Sequence, residues 1–140
     1  MSDLGRAIMI ASTAHRNQVD RHGRPYILHP LRIMFRFQHE REMITAVLHD
    51  LIEHTEWTLD ELRSEGFADD IIEAVNALTR RTGESYWDLV ERAKKNSLAR
   101  KIKIADLEDN MDLRLYRKIG EEDRERIKRY HKAWLILSTK

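Results

Sequence analysis

A histidine–aspartate pair lies inside an apolar stretch, residues 43–54, of the sequence. Apolar side chains surround most of the helix predicted there, so we expect His49 and Asp50 to be buried. Burial of ionisable groups is costly unless they are paired or bind a metal. Helical residues four apart lie about 40° apart around the axis, so Glu53 should share a face with His49, and His54 with Asp50. The pair alone is weak evidence, because a carboxylate that satisfies a neighbouring histidine is common.

Two other segments carry complementary groups. His29 follows Pro25 and precedes Pro30, and Asp106 interrupts an apolar helix face with Asn110 one turn on. Two imidazoles and two carboxylates form a mixed nitrogen and oxygen set, which suits Mn²⁺, Fe²⁺, Co²⁺ or Zn²⁺ better than Ca²⁺. We therefore predict one divalent ion, held by four ligands: His29, His49, Asp50 and Asp106.

Helical periodicity dominates the elements that must position these groups, and strand-like alternation is absent. The predicted helices cover residues 4–18, 31–37, 40–54, 58–66, 68–79, 85–95 and 121–137, with a further helix, capped by Ser97, that carries Asp106. The linkers are short, so we predict one all-α domain over residues 1–140, a compact bundle of about seven or eight helices.

Composition limits the classes of function. The chain has 140 residues, of which 41% are apolar, enough for one core. Its 25 basic and 24 acidic residues nearly cancel, which does not favour a nucleic-acid polymer or a membrane surface as partner. Cysteine is absent, which excludes thiolate sites. No apolar run is long enough for a membrane span or a signal peptide, so we expect a cytoplasmic protein, and we make no prediction of its oligomeric state.

The order of these residues in the chain resembles the motif of the HD superfamily of metal-dependent phosphohydrolases: a histidine (His29), a His-Asp pair (His49–Asp50) and a distal aspartate (Asp106). The chain is most similar to the hydrolase domain of RelA/SpoT proteins and to stand-alone small alarmone hydrolases. The matching stretches are residues 14–18, 23–31, 46–55, 78–79 and 103–111. Those enzymes remove pyrophosphate from the 3′ position of (p)ppGpp, typically with Mn²⁺. The resemblance thus implies a metal-dependent hydrolase of a small phosphorylated nucleotide.

The resemblance carries the metal-ligand role to the four residues above and a catalytic role to Glu53. Three positions depart from the family pattern. The second member of the catalytic Glu-Asp pair is His54 here. The arginine that helps to hold the nucleotide is Asp20, and the Arg-Leu-His before the asparagine is Leu-Glu-Asp, residues 107–109.

The catalytic roles follow from placement beside the ion. Such an ion would polarise a phosphoryl oxygen and acidify a water, and Glu53 is expected to orient that water or take its proton. His54 would either protonate the leaving phosphate oxygen or be a hydrogen-bond partner of Asp50. Asn110 is expected to bond the substrate or to orient Asp106.

Cationic side chains near the motifs are candidates for binding phosphate. They are Arg21, Arg24, Lys101 and Lys103, of which Lys103 lies three residues before Asp106. Each of them taken singly is better explained as a solvated surface charge. Tyr86 is expected in the core, with packing on a base or ribose as the alternative.

Three functions fit these patterns. The favoured one is an alarmone-type 3′-pyrophosphohydrolase. The second is an HD phosphatase that acts on another nucleotide, such as an NADPH-like 2′-phosphate or a nucleoside phosphate. The third is a catalytically weak domain that binds a nucleotide or protein and regulates, against which the intact ligand set argues.

Overall fold

The structure, a computed structural model, describes residues 3–139, and all of the regular elements within them are helices. The elements are α1 (Leu4–Ala14), α2 (Leu28–Met34), α3 (Glu40–Leu48), α4 (Leu51–His54), α5 (Leu59–Ser64), α6 (Asp69–Leu78), α7 (Tyr86–Lys94), α8 (Ser97–Asn110), a 3-10 turn (Leu113–Leu115) and α9 (Glu121–Ser138). An isolated bridge joins Val19 to Pro25. The predicted all-α class is confirmed. None of the described helices combines the length and apolar character needed to cross a membrane.

Helix α3 forms the centre of the larger core. Residues 44–48 are all buried, because α1, α2, α6 and α8 pack around this part of the helix. A smaller core joins α7, α8 and α9. It is formed by Val90, Leu107, Tyr130, Ala133 and Leu137. Helix α8 contributes to both cores, so side chains on its inner face lie deep in the bundle.

The prediction of one continuous helix over residues 40–54 is wrong, because two helices, separated at the His49–Asp50 pair, occupy this segment. Helix α3 ends at Leu48 and α4 begins at Leu51. Between them, Asp50 has φ −102° and ψ 1°, outside the ordinary helical range. The axis is therefore interrupted at the His49–Asp50 pair, and the expected common helix face of His49 and Glu53 does not exist.

Other helix ends also differ from the prediction, among them the end of α2 at Met34 rather than at residue 37. Helix α1 ends at Ala14, because Gln18 is held elsewhere: its amide donates to the backbone oxygen of His54 at 2.7 Å. Helix α2 begins at Leu28, two residues before Pro30, whose missing N–H costs nothing in a first turn. Asn96, not Ser97, caps α8, and its side chain accepts from the Ala99 N–H.

Candidate metal centre

Four side chains from three parts of the bundle converge at one point. His29 lies on α2, His49 and Asp50 lie at the α3–α4 break, and Asp106 lies on α8. Nε2 of His29 is 2.9 Å from Oδ1 of Asp106 and 3.7 Å from Oδ2 of Asp50. Nε2 of His49 is 3.1 Å from Oδ2 of Asp50 and 3.6 Å from Oδ1 of Asp106. The structure thus brings together all four residues that the sequence analysis selected as ligands.

The Nδ1 atoms of both imidazoles are engaged on the side away from this point. His49 Nδ1 donates to the backbone oxygen of Ala46 at 2.6 Å, and His29 Nδ1 donates to Oδ2 of Asp109 at 2.6 Å. Each Nε2 atom is therefore the one that faces the carboxylates. Nε2 of His49 is buried without a hydrogen-bond partner among the described residues.

This donor set fits a divalent cation. Two imidazole nitrogens that face two carboxylate oxygens need a positive charge between them, either protons or a metal ion. Ligand atoms of His29, His49 and Asp50 lie within 4.8 Å of one another, which is close enough for a common ion. Histidine ligands whose second nitrogen donates to a carboxylate or backbone oxygen are the rule in metal sites.

The charges of the cluster are strongly coupled. Burial alone would lower the pKa of His29, but hydrogen bonds to two carboxylates, Asp106 first, outweigh it and raise the pKa to about 9. Burial likewise opposes the rise of the His49 pKa, yet the nearby carboxylates, Asp50 first and then Asp106, hold that pKa well above its usual value. Burial disfavours charge on Asp106 too, but Lys103 and the histidines keep its pKa well below the usual range. In the metal-free protein, protons therefore supply the positive charge.

A cavity of about 630 Å³ opens beside the cluster. All four tyrosines of the chain line it, Tyr26, Tyr86, Tyr116 and Tyr130. Its cationic lining residues are Arg21, Arg32, Arg80 and Lys103. The volume is that of an ordinary small-molecule site, and the mixture of cations and aromatic rings suits an anionic ligand with a ring.

The comparisons with known proteins point to one family, although no protein-family model matches the sequence. The chain is 31% identical over 124 residues to a probable GTP pyrophosphokinase of Mycobacterium leprae, covering 79% of this chain and 16% of that protein. It is 28% identical over 122 residues to a guanosine-3′,5′-bis(diphosphate) 3′-pyrophosphohydrolase of Aquifex aeolicus, covering 78% and 17%. The chain thus spans about a sixth of the length of these two relatives.

A shorter relative and a solved structure agree with them. The chain is 38% identical over 69 residues to the pyrophosphohydrolase MESH1 of Danio rerio, covering 44% of this chain and 38% of that protein. A solved structure, described as a metazoan orthologue of SpoT that hydrolyses ppGpp, has the same fold. Its TM-score is 0.77 at 23% identity, over 96% of this chain and 84% of that one. This chain is an HD-type domain of the RelA/SpoT kind.

Within this HD domain, Glu53 and His54 of α4 both line the cavity, but their contacts differ from those that the sequence predicted. Glu53 lines the cavity, and its carboxylate accepts from the backbone N–H of Arg80. Nε2 of His54 lies 3.8 Å from Oε2 of Glu53. The proposed bond between His54 and Asp50 does not form, because the Tyr26 hydroxyl donates to Oδ2 of Asp50 instead.

Asn110 and two of the predicted cations, Lys103 and Arg21, lie on the wall of the cavity. Nδ2 of Asn110 donates to Oδ1 of Asp106 at 3.3 Å, so this side chain orients the carboxylate. Nζ of Lys103 is 3.0 Å from Oδ2 of Asp106, and Nη1 of Arg21 donates to the Tyr130 hydroxyl at 3.3 Å. All of these residues line the cavity.

The other two predicted cations lie elsewhere. Arg24 is absent from the cavity wall, because it ends a turn in which its backbone oxygen accepts from Asp20 and its N–H donates to the Asp20 carboxylate. That turn places Asp20, Arg21 and His22 on the wall. Nζ of Lys101 is 3.1 Å from Oε2 of Glu42, on the outside of the bundle.

Sequence reasoning missed three residues that support the HD centre. Tyr26 bonds Asp50, while Asp109 bonds His29 and also accepts two bonds from Arg32, at 2.8 and 2.9 Å. Asp109 follows Asp106 by three residues, and Arg32 follows His29 by three. This one-turn spacing from a candidate ligand was a usable signal.

Proposed function

We propose that this chain is a metal-dependent phosphohydrolase, a single HD domain that removes pyrophosphate from the 3′ position of a (p)ppGpp-type nucleotide. One divalent ion, for which Mn²⁺ is our first choice, is held by His29, His49, Asp50 and Asp106. The observation that supports this is the convergence of two Nε2 atoms and two carboxylates, with both Nδ1 atoms engaged, on the wall of a cavity of nucleotide size. Relatives that carry this activity in their names agree with it.

Side chains of the protein would supply the proton transfers and hold the ligands in place. When bound, the ion polarises a phosphoryl oxygen and lowers the pKa of a water. Glu53, held by the Arg80 N–H, faces the same cavity and accepts the proton of the attacking water. His54, near Glu53, donates a proton to the leaving oxygen. Asn110 keeps Asp106 in place as negative charge develops on the phosphoryl group.

The cations of the wall would bind the phosphates. Lys103 is half-buried beside Asp106. Arg21 donates to a neutral hydroxyl, so the charge of Arg21 is not cancelled by that partner. Arg80 likewise has a backbone oxygen, that of Glu84, as the acceptor of its guanidinium. Phosphate oxygens are stronger acceptors for such groups than neutral oxygens are.

A substrate panel tests the proposal. Purified protein is stripped with a chelator, reloaded with Mn²⁺ and incubated separately with ppGpp, ppApp, NADPH and nucleoside monophosphates. We expect pyrophosphate from ppGpp, and no turnover without metal. Asp50→Ala should abolish Mn²⁺ binding and turnover, whereas Asp60→Ala, at an exposed residue paired with Arg63, should leave both unchanged. Full activity of Asp50→Ala, or indifference to the chelator, would contradict the proposal.

One observation favours a second substrate. Asp20 stands on the cavity wall where the family has an arginine, and a carboxylate repels phosphate but accepts from a base N–H. An HD phosphatase acting on an NADPH-like 2′-phosphate or a nucleoside phosphate would fit this wall. In the panel it would release orthophosphate from those substrates and leave ppGpp intact.

A further inference from the structure

Tyr86, a residue of the cavity wall, has a buried hydroxyl without a hydrogen-bond partner among the described residues. It is the first residue of α7, and its ring packs on the smaller core. The ring therefore has the core position that the sequence indicated, but the residue also lines the cavity. Its hydroxyl oxygen is shielded from solvent and has no hydrogen-bond partner among the described residues. Buried hydroxyls are normally bonded, so this one points to a partner that is not part of the chain.

The surroundings of this hydroxyl favour an anionic partner. Nζ of Lys103, from α8, lies 5.9 Å from the centroid of the Tyr86 ring, and the guanidinium of Arg129, from α9, lies 5.3 Å from it. Burial raises the pKa of Tyr86 above its usual value, so the group stays a proton donor at neutral pH. A donor whose ring lies near two cations is suited to an oxygen that carries negative charge.

The two oxygens of the Asp106 carboxylate face different groups. Oδ1 of Asp106 faces the imidazoles of the metal cluster, at 2.9 and 3.6 Å, whereas Oδ2 faces Nζ of Lys103 at 3.0 Å. Lys103 thus lies across the width of a carboxylate from the place of the ion, and the centre of the Tyr86 ring is 5.9 Å from its Nζ. A phosphate at the ion would not occupy that space, but a second phosphate joined to it would extend into it.

We propose that the Tyr86 hydroxyl and the Lys103 ammonium bind the outer phosphate of a pyrophosphoryl group whose inner phosphate lies at the ion. Both groups donate to its non-bridging oxygens. This assignment deepens the proposed function and rests on it for the position of the inner phosphate. It assigns Tyr86 a role in distinguishing a pyrophosphoryl group from a single phosphoryl group.

Removal of one oxygen atom tests the assignment. Tyr86→Phe keeps the ring in the core and deletes only the hydroxyl. The Mn²⁺-loaded protein is titrated in a calorimeter with inorganic pyrophosphate and, separately, with orthophosphate, after subtraction of protein-free titrations. A hydrogen bond to a charged group contributes enough that we expect pyrophosphate affinity to fall about 10- to 100-fold. Affinity for Mn²⁺ and for orthophosphate should be unchanged.

A neighbouring variant serves as the matched control. Trp87 packs on the same small core but does not line the cavity, so Trp87→Phe should bind pyrophosphate like the parent. The subsite is refuted if Tyr86→Phe binds pyrophosphate within twofold of the parent, or if its affinity for Mn²⁺ or orthophosphate falls equally. The test needs no turnover. A chain without hydrolase activity but with the selective pyrophosphate loss would refute the proposed function and keep the subsite.

Discussion

At the scale of single residues, the acceptors behind the imidazoles decide which nitrogen faces the metal centre. His49 is held by a backbone oxygen of its own helix, but His29 depends on the side chain of Asp109. The bonds from His29 and Arg32 outweigh burial and lower the pKa of Asp109 to about 2, so it is a full negative charge at neutral pH. That charge makes the His29 ring a more basic ligand.

Asp109→Asn removes this charge and keeps the shape. We expect Mn²⁺ affinity to fall about 10- to 100-fold, because a neutral amide oxygen can still accept from Nδ1 but does not increase the basicity of the ring. Isothermal titration with Mn²⁺ measures the change. The same substitution at Asp112, whose carboxylate bonds Arg114 away from the cavity, is the control and should leave the affinity unchanged. Equal affinities in both variants would refute the role of Asp109.

Glu53→Gln separates proton transfer from metal binding. Glu53 is no partner of the four candidate ligands in the described structure, so its loss should leave Mn²⁺ affinity intact. Turnover should drop about 100-fold or more, as for the loss of a general base. Steady-state rates with ppGpp give the result, and Glu56→Gln, at an exposed residue outside the cavity wall, is the control. An active Glu53→Gln enzyme would mean that another group takes the proton.

At the scale of elements, the loop between α6 and α7 supports the catalytic carboxylate. This loop, residues 79–85, supplies the backbone N–H of Arg80 to Glu53. Arg92, on α7, holds both ends of the loop, since its guanidinium donates to the Thr79 oxygen at 2.7 Å and pairs with Glu84. The position of Glu53 therefore depends on a helix that carries none of the candidate ligands.

Arg92→Gln should loosen this loop. We expect turnover to fall several-fold to about tenfold through misplacement of Glu53, with Mn²⁺ affinity unchanged. Steady-state rates and a Mn²⁺ titration, measured on the same preparation, give the two quantities. Lys95→Gln, an exposed substitution at the end of the same helix, should match the parent in both. A parallel loss of metal affinity in Arg92→Gln would indicate general unfolding.

At the scale of the whole molecule, the protons of the metal-free centre contribute to stability. The pKa of His29 is raised to about 9 in the folded chain, above its ordinary value of 6.5. Stability from such a group is fully present below pH 6.5 and is lost as pH rises towards 9. A bound ion replaces those protons, so metal should matter more to the fold at alkaline pH.

Thermal unfolding with and without a chelator tests this linkage. We expect the chelator to lower Tm more at pH 9 than at pH 6, because at pH 9 the metal-free imidazoles lose the protons that balance the carboxylates. Differential scanning fluorimetry at both pH values measures the two drops. Asp50→Ala, which should not hold the ion, is expected to show little effect of chelator at either pH. A larger drop at pH 6 would contradict the linkage.

The sequence by itself determined the class of the fold and the chemistry available to it. Helical periodicity is a local property, so the all-α bundle and most helix positions followed from the order of apolar residues. Residue types, together with the resemblance to the HD superfamily, identified His29, His49, Asp50 and Asp106 as a coherent donor set. The metal roles, and those of Glu53, His54, Asn110, Arg21 and Lys103, stay predictions until the variants are measured.

Only the tertiary structure decided how these groups meet. The break at Asp50 and the selection of Arg21 but not Arg24 for the cavity wall depend on how neighbouring segments pack. The bond between His29 and Asp109 joins residues 80 positions apart in the chain. Such contacts arise from the packing of distant helices, whereas sequence periodicity reports only which face of each helix is apolar.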